Sequence, residues 1–93
     1  MASSKFNHPI ERVHIYATLG IDVIQQAKNI PDGHVYFYMS SNSPTNRPSG
    51  CDWGGYMFFR SGNGVKILYL DGNHIASGSL NVETSTSITW HIT

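Results

Sequence analysis

The fold of this chain turns on the stretch Gly20-Ile21-Asp22-Val23-Ile24-Gln25-Gln26-Ala27-Lys28-Asn29-Ile30-Pro31-Asp32-Gly33-His34-Val35-Tyr36-Phe37-Tyr38-Met39. Up to Ile30 its apolar residues recur at helical spacing: Val23, Ile24, Ala27 and Ile30 share one side, while Gln25, Gln26 and Lys28 take the other. Asp22 before the segment and Lys28 near its end have the charge order that a helix dipole favours. Pro31-Asp32-Gly33 then breaks the pattern and supplies a turn. Beyond it the period drops to two, and aromatic and β-branched residues take over. The switch predicts one short N-terminal helix over residues 21–29, packed on a β-sheet. The class is α+β, mainly β.

Working outward, five stretches after Gly33 read as strands: 34–40, 55–61, 65–71, 74–79 and 87–92. Ser61-Gly62-Asn63-Gly64 and Asp71-Gly72-Asn73 are hairpin turns, since Gly and Asn accept positive φ at low cost. Before the helix, Arg12 to Ala17 alternates with period two and is expected as an edge strand. The sheet should be antiparallel, with about five to six strands. In Val65–Leu70 both faces are apolar apart from Lys66, which points to a central strand or to a face covered by another subunit. Residues 1–19 are expected as a connection to whatever precedes the domain, and 20–93 as the domain itself.

Composition narrows the function. Ninety-three residues make one domain, near the lower end of what sustains its own core. Charged residues make up only 13 %, about half the usual share. Six Lys and Arg balance six Asp and Glu, so the basic excess typical of nucleic-acid binders is missing, as is the attraction to anionic membrane surfaces. No apolar run is long enough to span a membrane, and Met1 to Pro9 lacks the apolar core of a secretion signal. The single cysteine, Cys51, excludes an internal disulfide framework and has no basic neighbour in sequence to lower its pKa. A weakly charged surface rich in Ser, Thr, Asn and Gly suits neutral polar ligands such as sugars.

Catalytic signatures are lacking. The only Gly-rich run, Ser61 to Gly64, joins two strands rather than a strand and a helix. The five histidines show no metal-ligand spacing. Asp32 and Asp71 precede Gly in turns and Asp22 suits a helix start, which leaves Asp52 without a structural role. A glycosidase needs two placed carboxylates. No nucleophile elbow surrounds any serine. The expectation is a binding domain without chemistry, cofactor or metal.

Binding points to the loop from Ser41 to Trp53, SNSPTNRPSGCDW, which is long for so small a domain. Arg47 and Asp52 there could hydrogen-bond hydroxyls, Trp53 could stack on a sugar ring, and Asn63 and Asn73 could contribute from hairpin tips. The plainer alternatives are that Arg47 pairs with Asp52 to hold the loop in shape, and that Trp53 plugs it onto the sheet.

From Gly20 to Thr93 the chain resembles the C-terminal knob of phage tail fibres and of the related R-type pyocin fibres. The resemblance rests on Ile30-Pro31-Asp32-Gly33 followed by Val35 to Tyr38, on Asn46-Arg47-Pro48, on Gly54 to Arg60, and on the closing Trp90-His91-Ile92. A second Trp shortly before the last one is frequent in such knobs, and Ser85 to Thr89 supply none. The resemblance implies a homotrimeric, receptor-binding tip on the virion tail, made in the host cytoplasm and acting outside it. Its implied partner is a bacterial cell-surface polysaccharide or outer-surface protein. The competing class is a structural module that caps or assembles a trimeric fibre without a ligand of its own.

Overall fold

A computed structural model describes residues 12–16, 22–39 and 43–93. Six strands form one sheet in sequence order: β1 (Val13–Tyr16), β2 (Val35–Met39), β3 (Gly55–Ser61), β4 (Gly64–Leu70), β5 (Ile75–Asn81) and β6 (His91–Ile92). Among the described residues one helix, α1 (Val23–Lys28), lies between β1 and β2. Strands β2 to β6 run as an antiparallel meander, whereas β1 pairs with β2 in parallel, Val13 opposite Val35 and Tyr16 opposite Tyr38.

One expectation is corrected here. The sheet is mixed rather than antiparallel, because a connection carrying a helix lets the chain cross over and return in the same direction. The helix lies within residues 21–29, and β1, at the sheet edge, precedes it where Arg12 to Ala17 was expected as an edge strand. That strand lies within residues 1–19, the stretch expected to lead into the domain, and yet it belongs to the sheet.

Asp22 caps α1 from extended backbone. Its Oδ1 accepts from the Ile24 N–H at 3.0 Å and from Asn46 Nδ2 at 2.8 Å. Six residues are too few to hold a helix by propensity alone, so packing must hold it: Val23, Ile24 and Ala27 are buried. Beyond it the chain reverses through Gly33 at φ 81. Arg60 closes this corner, donating from Nη1 to the Ile30 carbonyl at 2.8 Å and from Nε to the Gly62 carbonyl at 2.8 Å. Asp32 reaches the same hairpin by accepting from the Gly62 N–H.

The core lies on the helix side of the sheet. Cross-strand register sets Tyr36, Phe58, Ile67 and Gly78 in one row, and Tyr38, Tyr56, Tyr69 and Ala76 in the next. Val23, Ala27 and Ile30 pack with them, along with Cys51, Val65 and Leu80. The rings meet edge-on where they cross, with centroids 5.6 Å apart for Tyr38 and Phe58 and 5.0 Å for Tyr56 and Tyr69, a preferred aromatic geometry. Strand β6 is shorter than the expected 87–92. Ile88 and Trp90 instead fold over Gly78, where an added Cβ would lie 2.6 Å from Ile88 Cγ2 and 3.0 Å from Trp90 Cε3.

Among the described residues the other face has no such cover. Its rows are Ile15, Phe37, Met57, Leu68, Ser77 and His91; Val13, Val35, Phe59, Lys66 and Ser79; and Met39, Gly55, Leu70 and Ile75. Central placement of β4 agrees with its apolar sequence, but only Val65, Ile67 and Tyr69 are buried; Leu70 is half-exposed.

Candidate functional site

The described part of the long loop, residues 43–53, is pinned at several points. Thr45 bridges to Asp22, and its carbonyl accepts from the Val23 N–H at 3.0 Å. Asn46, at φ 67, donates its side chain to the helix cap, and its carbonyl accepts from Trp90 Nε1 at 3.0 Å. Pro44, Pro48 and Cys51 are buried. The far end is clamped at Gly54, where a Cβ would stand 2.3 Å from the Leu70 carbonyl oxygen. Only glycine lets the chain pass that close to β4.

On this frame Arg47 Nε donates to Asp52 Oδ1 at 3.0 Å, and Ser43 Oγ donates to the same oxygen at 3.0 Å. Arg47 Nη1 adds a bond of 3.4 Å to the Pro44 carbonyl. Asp52 thus pairs with Arg47, as the plainer alternative had it, and takes Ser43 as a further partner. The pair remains accessible, with side chains 36 % and 53 % exposed. Trp53 follows with 64 % of its surface exposed. Its carbonyl is fixed by the Tyr69 hydroxyl at 3.0 Å, so its indole projects from an anchored backbone and does not plug the loop.

The one Tyr69 hydroxyl proton is shared with Asp71 Oδ2 at 2.5 Å, tying the loop to the turn between β4 and β5. Asp71 Oδ1 accepts from the backbone N–H groups of Asn73 and His74, both at 2.7 Å, and His74 Nδ1 lies 3.2 Å from each carboxylate oxygen. The Tyr69 hydroxyl, then the Asn73 N–H, hold the Asp71 carboxyl far below the usual carboxylate range. Burial, then the bond to Asp71, pushes Tyr69 up.

Asn73 therefore sits at the same end of the sheet as Trp53. Asn63 does not. It occupies the β3–β4 hairpin, about 20 Å away along β4 at about 3.3 Å per residue, where Nδ2 donates to Glu83 Oε1 at 3.0 Å. The five expected ligand residues thus divide into a group of four, Arg47, Asp52, Trp53 and Asn73, and a distant Asn63.

Two side-chain clusters escaped the sequence reading. Donor atoms of Cys51, Asp71 and His74 lie within 4.8 Å of one another. A thiol, a carboxylate and an imidazole form a set that zinc accepts with one position open, but both Asp71 oxygens already bind the Tyr69 hydroxyl, the turn amides and His74. Burial, then Asp71 and Asp52, push the Cys51 thiol up, opposite to what a nucleophile needs. The second cluster joins His14 and His34, whose Nε2 and Nδ1 are 2.9 Å apart in stacked rings. Twenty residues separate them in sequence, and only the parallel β1–β2 pairing brings them together. His34 and His74 sit one residue before β2 and β5, not within them. Comparison with protein-family models, with curated proteins and with solved structures returns no match.

Proposed function

We propose that this domain is a receptor-binding module without chemistry, the tip of a phage tail fibre or related contractile particle, and that it takes a bacterial cell-surface glycan at the Arg47–Asp52–Trp53 corner. The observation that carries this reading is Trp53, a large indole left mostly exposed on backbone that the Tyr69 hydroxyl and Gly54 hold in place. An anchored aromatic face costs little entropy to use, and stacking needs one. The exposed Arg47–Asp52 pair beside it offers planar donors and acceptors to hydroxyls, with Asn73 on the neighbouring turn. In this reading the knob comprises the whole sheet from β1 onward, in a homotrimer, with Asn63 outside the binding corner.

Glycan-array and host-adsorption measurements test it. Trp53→Ala should weaken binding roughly 30-fold or more, as loss of an aromatic hot spot does, while leaving the melting temperature unchanged. Unaltered binding after Trp53→Ala, Arg47→Ala and Asp52→Ala in folded protein would place recognition elsewhere. A second reading, a capping or assembly module with no ligand of its own, is favoured by the uncovered apolar sheet face.

A further inference from the structure

We infer that the sheet face turned away from α1 is the surface through which copies of this chain associate. The inference rests on the multi-copy part of the proposed function, and it names the surface that part requires.

A half-covered antiparallel sheet ordinarily alternates apolar inward and polar outward. Here both directions are apolar over β1 to β4. Ile15 is 82 % exposed, and Met39, Phe59, Leu70 and Ile75 are each about half exposed on the same face. Among the strand residues there, Lys66 alone belongs to Asp, Glu, Lys or Arg. Strand spacing of about 4.8 Å and rise of about 3.3 Å per residue give a footprint of roughly 25 by 20 Å, about 500 Å² before side-chain relief. Relief brings that to the order of the roughly 800 Å² per partner that a stable interface buries, beyond the usual apolar patch of a monomer.

Three observations select another copy as the occupant. The segments outside the description, 1–11, 17–21 and 40–42, contain Met1, Phe6, Ile10, Leu19 and Ile21 as large apolar residues, fewer than the face itself presents. The face is corrugated: one groove of about 480 Å³ runs past Phe59, Lys66 and His91, and another of about 330 Å³ past Phe37, Met39 and Leu70, with Met57 and Leu68 shared between them. Its own projecting Ile15, Phe59 and Leu70 have the size and chemistry those grooves accept, so the face complements itself. The chain's net charge is zero, so copies meet without long-range repulsion.

Sedimentation equilibrium of the full chain from micromolar to several hundred micromolar tests the proposal. The unmodified chain should form a species heavier than the 10.3 kDa monomer. The double variant Phe59→Lys, Leu70→Lys should raise its dissociation constant by about 100-fold or more, because each association would bury uncompensated charge. A monomeric unmodified chain at the highest concentration, or a folded double variant that assembles equally well, overturns the inference. If the variant does not fold, hydroxyl-radical footprinting of the unmodified chain decides: Met39 should become protected as concentration rises. A Met39 that oxidises equally in dilute and in assembled protein overturns it too. Loss of glycan binding on Trp53→Ala leaves every one of these readouts untouched, so the two proposals fail separately.

Discussion

Tyr56 and Tyr69 occupy adjacent positions in one cross-strand row, yet their hydroxyls have opposite fates. Tyr69 donates to Asp71 and lies 3.0 Å from the Trp53 carbonyl, tying loop to turn. Tyr56 Oη is buried with no hydrogen-bond partner among the described residues, a burden of about 1–3 kcal/mol for a polar group taken from water. Phenylalanine at each position should therefore act in opposite senses. Tyr56→Phe should raise stability by about 1 kcal/mol, and Tyr69→Phe should lower it by at least that and loosen the Trp53 backbone. Urea titration of both variants checks the pair, and a destabilised Tyr56→Phe would mean that the hydroxyl is satisfied in solution. Nothing in the sequence distinguished these tyrosines, because period-two alternation assigns a face but not a partner. The same limit hid Ser43 as a partner of Asp52, since that contact depends on the path of the loop, although Arg47 was in view as one.

At the scale of elements, the hairpin turns and the extents of β3 to β5 were legible, since Gly-Asn and Asp-Gly-Asn mark the reversals between them. Two things were not. Parallel pairing of β1 is a property of the crossover, and β1 alone is too short to declare its direction. The fold-back of Ile88 to Trp90 depends on Gly78, which as sequence reads merely as a weak strand residue. Gly78 leaves room for the Ile88 side chain and the Trp90 ring, and Trp90 in turn bonds the Asn46 carbonyl of the long loop. Gly78→Ala should therefore push the segment off the sheet and cost about 1–3 kcal/mol, as overpacking does. Trp90 fluorescence should shift to the red and the melting temperature should fall. An unshifted spectrum with unchanged stability would show that Ile88 and Trp90 do not rest on β5.

For the molecule as a whole, the same loop-and-turn corner that offers Trp53 to a ligand also sets the pH range of stability. Asp71 is held well below its ordinary pKa by the Tyr69 hydroxyl and the Asn73 N–H. A carboxylate depressed in the folded state favours folding above its unfolded pKa of about 3.9, and that stabilisation drains away as pH falls toward the folded value. Tyr56, through burial, and Tyr69, through burial and Asp71, titrate above the ordinary tyrosine value. A phenol raised in the folded state favours folding below its unfolded pKa of about 10, and the advantage fades as pH rises beyond it. The melting temperature should therefore hold between about pH 4 and pH 10 as far as these groups govern it, dropping on both sides. Asp71→Asn removes the carboxylate, so the acid limb should flatten while the alkaline limb keeps part of its slope through Tyr56. A variant whose acid limb matches that of the unmodified chain would place the acid-sensitive group elsewhere.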